Sequence, residues 1–316
     1  MKKESSTSSS SAHAEPATST YHTPVLYRET LDLLSIRPDG IYVDATFGGG
    51  GHSRGILQKL SDKGKLVAFD QDADAARNLP DDKRVVFVPH NFRHLTRFLR
   101  LEGITRVDGI LADLGVSSHQ FDEGARGFST RFEGPMDMRM DQRASLTAAE
   151  VIDTYTEEQL HRMFEQYGEV TNSKTLAQLI VAERRRHPSA TIQQFKTLIH
   201  AVVKGNPNKY LAQVFQALRI EVNEEIASLQ EMLGQLPALL VPGGRAAIIS
   251  FHSLEDRIVK NFFREGGTVA DDNPFTTGKR EKIFRMITAK PVTAGVEEIK
   301  NNPRSRSAKL RVAEKI

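Results

Sequence analysis

The chain contains no cysteine among its 316 residues, which excludes disulfides, thiolate catalysis and cysteine-ligated metals. No stretch approaches the ~18 uninterrupted apolar residues of a membrane span. The opening MKKESSTSSSSAHAEPATST lacks the apolar core of a secretory signal. Residues 1–20 are therefore expected to form a disordered Ser/Thr/Ala-rich tail on a cytoplasmic protein. Two nucleotide fingerprints are missing as well. No frame of GGGGHSRG supplies the dinucleotide pattern G-x-G-x-x-G, and no G-x-x-x-x-G-K-[ST] occurs. Both gaps argue against NAD and ATP.

What is present organises itself around Ile41 to Asp70. The β-branched and aromatic run Ile41-Tyr42-Val43 ends on Asp44, and Gly48 to Gly51 then precede a predicted helix over 53–60. A second apolar run, Leu66 to Phe69, ends on Asp70. Strand, glycine turn, helix, strand and acid form the first unit of a nucleotide-binding α/β sheet. Glycine lets the backbone turn sharply and approach a ligand closely. Asp70 stands where an acid accepts hydrogen bonds from the two hydroxyls of a ribose. With a pyrophosphate cradle absent, a phosphate-free adenosyl ligand such as S-adenosylmethionine fits the pattern, against the plainer reading of a tight connection.

The alternation continues with a short helix over 73–79, strands at Val85–Val88 and Val107–Ala112, and a helix over Phe92–Leu101 between them. Such alternation implies parallel pairing with right-handed crossovers, and ligands bind beyond the carboxyl ends of the strands. Asp44, Asp70 and Asp113 all occupy that edge. Asp113 opens a glycine- and polar-rich segment carrying Arg126, Arg131, Asp137 and Arg139 among Phe121, Phe128 and Phe132. A loop of that length in a compact domain is usually functional. Arginines mixed with aromatics suit unpaired nucleic acid, and a lid packing its own phenylalanines has the same composition.

Residues 145–204 then read as pure helix. Thr147…Glu150, Thr156…Gln159 and Thr191…Gln194 are capping boxes, and Phe195, Leu198, Ile199 and Val202 fall on one helical face. Arg184-Arg185-Arg186 is either a phosphate contact or a solvated helix end. A further helix begins near Tyr210, and the sheet resumes at Arg245–Phe251 after a turn at Val241-Pro-Gly-Gly244. The strand runs into the helix of FHSLEDRIVKNFF, with His252 and Asp256 near the functional edge, and Ile283–Ile287 and Ala308–Val312 close the sheet. From Phe275 to Ile316 eleven Lys/Arg face four Asp/Glu, a candidate surface for a polyanion or a solvated tail.

HTPVL (22–26), DATFGGGGHSRGIL (44–57), DGILADLGVSSHQ (108–120), RGFS (126–129), GPMDMRMD (134–141), FQALRIEVN (215–223), ISFHSLEDRIVK (249–260) and NPRSRSAKLR (302–311) together resemble the bacterial RsmH/MraW family. These are S-adenosylmethionine-dependent methyltransferases of cytosine N4 in small-subunit (16S) ribosomal RNA, and the resemblance spans about residues 21–314. It implies an α/β fold: a class I (Rossmann-like) methyltransferase doubly wound sheet with an inserted all-helical domain. The divisions expected are methyltransferase domain over 21–138 and 213–316, with a helical substrate-recognition insert over 139–212. Gly50, Gly51, His52, Asp70, Phe92, Asp113 and Gln120 match the family's cofactor-contacting positions. Asp113 is the candidate catalytic residue, and Arg126, Asp137, Arg139 and His252 are the candidate substrate contacts. No metal or membrane is implied. A homodimer, and free RNA against an assembled subunit as substrate, remain open.

The chain departs from the family at Tyr210-Leu-Ala-Gln213, where many members carry a Pro-containing segment with a basic residue, and this puts an RNA contact at Gln213 in doubt. Amino methyltransferases usually carry (Asp/Asn)-Pro-Pro-aromatic after the fourth strand. Here Asp113-Leu-Gly-Val116 keeps only the acid, so the base must be clamped differently. Two other readings stand beside this one: a DNA amino-methyltransferase, and a cofactor-binding RNA chaperone without catalysis.

Overall fold

The computed structural model describes residues 24–186, 189–267 and 282–316. The expected tail (1–20), His22, His187-Pro188 and part of the basic C-terminal segment lie outside the described residues. From the N-terminus the chain forms α1 (Tyr27–Leu34), β1 (Ile41–Asp44), α2 (Gly51–Lys59), β2 (Lys65–Phe69), β3 (Val85–Val88), α3 (Leu95–Leu101) and β4 (Val107–Asp113). A short α4 (Ser118–Asp122) precedes the helical run α5 (Ala148–Thr154), α6 (Glu157–Gln166), α7 (Ser173–Glu183), α8 (Ile192–Ile199) and α9 (Pro207–Val222). Then come α10 (Glu225–Leu239), β5 (Leu240–Ser250), α11 (Ser253–Arg264), β6 (Phe284–Met286), α12 (Val296–Asn301) and β7 (Lys309–Lys315).

Apolar residues on both faces of the strands dictate a sheet covered on both sides. Val43, Val67, Phe69, Ile110 and Ile248 face a core completed by α3, α10 and α11. Their neighbours Tyr42, Leu66, Leu111 and Ile249 face the opposite core, completed by α1 and α2. The seven strands run in the order β3-β2-β1-β4-β5-β7-β6. Pairings through β5 are parallel, while β7 is antiparallel to β5 and β6. This is a doubly wound sheet whose strand order reverses at β1 and β4. Asp44 lies level with Ala68 and Leu111, so Asp70 and Asp113 each emerge two residues further along their own strands. The three acids gather on one edge.

A separate core holds the helical run. Phe164, Leu176, Ile180, Phe195 and Ile199 are buried there, joined by Phe128, Met136, Met138 and Met140 from before α5 and by Phe215, Leu218 and Val222 of α9. In GPMDMRMD the alternate methionines enter this core while Asp137, Arg139 and Asp141 do not. All three expected capping boxes form, with the Thr hydroxyl accepting from the backbone three residues on.

Three expectations change. The helix over 73–79 is a 3-10 helix, Ala73–Asn78, because Asp72 caps it and its short amphipathic stretch meets Leu79 in extended backbone. Val241–Gly244 is not a turn before the strand but an irregularity within β5. Leu240 pairs with Val107, Arg245 pairs with Gly109, and Gly243 at φ +76° absorbs the excess residues. Finally, α10 was not anticipated between the Tyr210 helix and that strand, although it buries Leu229, Met232, Leu233 and Leu236.

Part of the basic C-terminal segment is consumed internally. Asp256 on α11 accepts from Arg311 at 2.7 and 3.2 Å and from Lys309 at 3.3 Å, which locks β7 under α11. Arg311 is 4% exposed. Removing one member of a buried pair leaves an uncompensated charge, which costs about 3–5 kcal/mol. Asp256→Asn is expected to lower the chemical-denaturation free energy by that amount. Burial opposes ionisation of Asp256, but Arg311 and Lys309 outweigh it and hold the carboxyl below its ordinary value. The stabilisation is thus complete above pH ~4 and lost as pH falls through the depressed folded value. An unchanged unfolding midpoint in the variant at pH 7 would contradict this account.

Candidate active site

Two positions of the β1–α2 turn, Gly50 and Gly51, leave no room for a side chain. Gly50 caps α2 at φ +71°, and a Cβ there would lie 2.8 Å from the Phe47 ring. At Gly51 a Cβ would lie 2.2 Å from Pro24 of the lead-in, so glycine lets residues 24–26 pass directly over the helix start. Asp70 locks the turn. Its carboxylate accepts from Gly48 N at 2.7 Å and Asp72 N at 2.8 Å. Burial pushes its pKa up to about 6, opposed by those two amide bonds. A carboxylate offers about four lone-pair directions, so two remain available.

One cavity of about 900 Å³ joins these elements. Gly51, His52, Asp70, Phe92, Asp113, Gln120 and His252 line it, whereas Gly50, Arg126, Asp137 and Arg139 do not. Gly50 shapes the turn from behind. Gln120 is a wall residue whose amide is already engaged, accepting from Ser117 N at 3.0 Å and donating to Asp72 at 2.8 Å. A smaller hollow of about 550 Å³ near Lys196 and His200 lies in the helical part and contains none of the strand-end acids.

Asp113 is the chemically unusual wall residue. Its backbone N–H donates to Thr46 Oγ1 at 2.6 Å, but among the described residues its buried side-chain Oδ1 has no hydrogen-bond partner. Burial first, then the neighbouring Asp44 and Glu255 charges, raise its pKa well above the carboxylate range. The imidazole of His52 stands 3.7 Å away. Burial lowers the His52 pKa to about 4, so the ring is neutral near pH 7, and its Nε2 lies 3.1 Å from the Val25 carbonyl. With the proton on Nε2 the lone pair of Nδ1 faces Asp113. Asp44, buried behind them, accepts from Ser53 at 2.7 Å and Thr46 N at 3.1 Å, and burial lifts it to about 6.

The far wall comes from the α9–α10 junction and the β5–α11 turn. Arg219 grips Glu225 through two bonds of 2.8 and 2.9 Å. His252 Nε2 lies 3.1 Å from Glu255 Oε1, but off a hydrogen-bonding direction, while Glu255 Oε2 accepts from Phe251 N at 2.9 Å. Burial pushes the Glu255 carboxyl up; His252 and Arg219 outweigh it, leaving it below its ordinary value. Among the described residues Glu225, His252 and Glu255 form a group of metal-ligating types. The guanidinium of Arg219 already supplies its positive charge.

The remaining candidates hold the long loop in place. Arg126 bonds Asp72 at 2.8 Å and Asp74 at 3.4 Å and caps the carbonyls of Arg139 and Met140. Asp137 and Arg139 pair with each other at 2.7 Å. Arg184 donates to the carbonyls of Ile152 and Tyr155 at the end of α5, which leaves Arg185 and Arg186 of that run at the helix end. Asn223 was not singled out by the sequence, yet it accepts from Met140 N at 2.7 Å and donates to Met138 O at 2.8 Å. Its place at the end of FQALRIEVN was the available signal. Thr46, which anchors Asp113, offered none beyond following a strand.

Strand order, the antiparallel β7 and a glycine turn with acids at successive strand ends define a class I, Rossmann-like methyltransferase fold. The comparison with known sequences is more specific. The model of the MraW methylase family matches residues 19–316, and the chain belongs to that family. It is 51% identical over 297 residues to the ribosomal RNA small subunit methyltransferase H of Bacteroides fragilis, covering 94% of this chain and 98% of that protein. With the protein of the same name from Parabacteroides distasonis it shares 51% over 304 residues, covering 96% and 100%. Among the described residues no helix is long and apolar enough to cross a membrane.

Asp44, Asp70 and Asp113 bind protons more tightly folded than unfolded, so stability falls as pH rises from the ordinary carboxylate value, about 4, through their raised folded values. The three acids together are expected to make the ligand-free protein melt higher at pH 5.5 than at pH 7.5. His52 opposes them, because its lowered pKa favours the folded state as pH rises through the ordinary imidazole value. Asp44→Asn, which keeps an acceptor for Thr46, is expected to shrink the difference. A melting temperature that rises steadily from pH 5.5 to 7.5 would refute the assignment.

Proposed function

We propose that the chain transfers a methyl group from S-adenosylmethionine to the N4 amine of a cytosine in small-subunit ribosomal RNA. Near-complete alignment with the ribosomal RNA methyltransferases supports this reading. The observation that carries its chemistry is the orphaned buried Oδ1 of Asp113 in the wall of the cavity that also contains Asp70.

The residues fit the cofactor. Asp70 has acceptor capacity left for two ribose hydroxyls, and Gly51 lets Pro24 close over the helix start at the cavity wall. Phe92 and Leu229 offer apolar wall for an adenine, and the cavity volume suits a ligand of that size. When bound, the cofactor supplies an already activated methyl on a sulfonium, so no metal is required for the transfer.

The difficulty lies with the acceptor. The lone pair of an aromatic amine is delocalised into its ring and must be drawn out and aligned. Asp113 does this by accepting a hydrogen bond from the amine as positive charge develops there, and then takes its proton. A nearby cation favours the ionised carboxylate, so Asp113 would shift from a neutral acid in the ligand-free site to a base in the loaded one. His52, neutral and 3.7 Å away, adds no positive charge that would hold Asp113 ionised before the cofactor binds. Phe251, which lines the cavity, has its ring 3.7 Å from where a Cβ on Gly115 would lie. It supplies the aromatic surface that Asp113-Leu-Gly-Val116 itself lacks. Arg126, Asp137 and Arg139 act through the loop they hold, and His252 faces the base from the opposite wall.

Asp113→Asn is expected to lower the single-turnover rate at saturating cofactor by about 10²–10³-fold, as for other lost transition-state hydrogen bonds. A rate within about threefold of wild type would remove Asp113 from the chemistry. Asp70→Ala is expected to weaken cofactor binding by about 1.5–3 kcal/mol, the range for a charged acceptor, measured by calorimetry. Methyl incorporation into ribosomal RNA but not duplex or single-stranded DNA distinguishes the proposed substrate, and product digestion with mass spectrometry locates the methyl on N4.

A further inference from the structure

We infer that Phe121, Arg131 and Arg304 form a phosphate subsite for the RNA strand beside the methylated base. The inference rests on the RNA methyltransferase reading above. All three residues line the cavity that contains Asp113. They come from distant parts of the chain: Phe121 from α4, Arg131 from the loop after it, and Arg304 from the 3-10 turn Pro303–Ser307 just before β7. The Arg304 guanidinium lies 4.9 Å from the Phe121 ring centroid and that of Arg131 lies 5.5 Å from it. One aromatic ring thus holds two cations.

That arrangement is costly without an anion. Two guanidinium groups sharing one ring repel each other, and the ring's quadrupole offsets only part of the repulsion. Arg131 is exposed, and among the described residues no carboxylate pairs with it. Arg304 uses one bond, 2.7 Å to Asp122 Oδ1, on a pair 36% and 52% exposed. A guanidinium has five N–H donors, so most of the hydrogen-bonding capacity of both arginines remains for a ligand. Other cations nearby are spent differently: Arg126 is locked on Asp72 and Asp74, and Lys309 and Arg311 on Asp256.

A phosphodiester matches what remains. It is anionic, accepts from guanidinium forks, and accompanies every nucleotide on either side of a base drawn into the cavity. The Phe121 ring lies within cation–π reach of both arginines and holds them at the cavity wall. Asp122 competes with that phosphate for Arg304. Its removal should therefore strengthen RNA binding, an effect that a purely structural Arg304–Asp122 contact would not produce.

The test uses the full chain, a single-stranded oligoribonucleotide containing cytosine, and a salt titration of its affinity. Arg131→Ala and Arg304→Ala are each expected to weaken binding by roughly tenfold at low salt, as for a charged hydrogen bond. Each should reduce the log–log salt slope by about 0.7, the value for one phosphate contact on a single strand. Asp122→Asn should tighten binding. Arg304→Lys should keep the slope but recover only part of the affinity, because its point charge lacks the planar fork. Cofactor affinity by calorimetry should stay at the wild-type value throughout, and KM for RNA should rise more than kcat falls. If wild type methylates RNA while the double alanine variant keeps its affinity and slope, the subsite is overturned and the methyltransferase reading stands. If wild type methylates no RNA, that reading itself fails.

Discussion

Three carboxyl groups crowd one edge of the sheet, and most of the local architecture answers that constraint. Asp44, Asp70 and Asp113 leave neighbouring parallel strands within two residues of the same level. Burial pushes each of them upward, and the Asp44 charge adds to it at Asp70 and Asp113. Asp44 is quieted by Ser53 and the Thr46 amide, and Asp70 by the amides of Gly48 and Asp72. Of the three, only Asp113 keeps a buried oxygen without a hydrogen-bond partner among the described residues. An unsatisfied buried group costs stability, and such costs are retained where function uses them. The fold spends its hydrogen bonds on two acids and withholds them from the third.

The same economy governs the arginines. A sequence rich in Arg around residues 126–143 and 304–311 suggests a broad basic surface, yet most of these side chains are occupied. Arg126 ties the long loop to the residues after β2, Arg139 turns back on Asp137, and Arg143 on Asp141. Arg311 lies beneath α11. Positive charge that reaches the cavity without a full set of partners narrows to a few positions.

Much of the sheet was legible because its signals are local. Runs such as Leu66–Phe69 and Val107–Ala112 end in acids, and each proved a strand. Thr147, Thr156 and Thr191 announced helix starts through side chains that bond three residues away. What escaped was non-local. Nothing within Val241-Pro-Gly-Gly244 distinguishes a turn from a bulge, because the difference lies in how Val107 and Gly109 pair across it. Likewise, Arg126 and Gln120 carry suitable chemistry for a ligand. Asp72, more than forty residues away in sequence, engages both. The residue types were readable, but their partners depend on tertiary packing.

The helical core and the sheet meet at a junction that neither could form alone. α9 buries Phe215, Leu218 and Val222 among the helices, and α10 buries Leu229 and Met232 against the sheet. Between them the chain turns at Asn223 and at Glu224, the latter at φ +47°. Asn223 then fixes Met138 and Met140, whose side chains belong to the helical core. Arg219 and Glu225 pair across the turn and face the cavity. Any rotation of α9 relative to α10 would therefore move the far wall and the long loop together. This coupling links the long loop to the far wall of the cavity through packing and hydrogen bonds. It also explains why residues on both sides of the turn, rather than on either core alone, form the wall opposite Asp113.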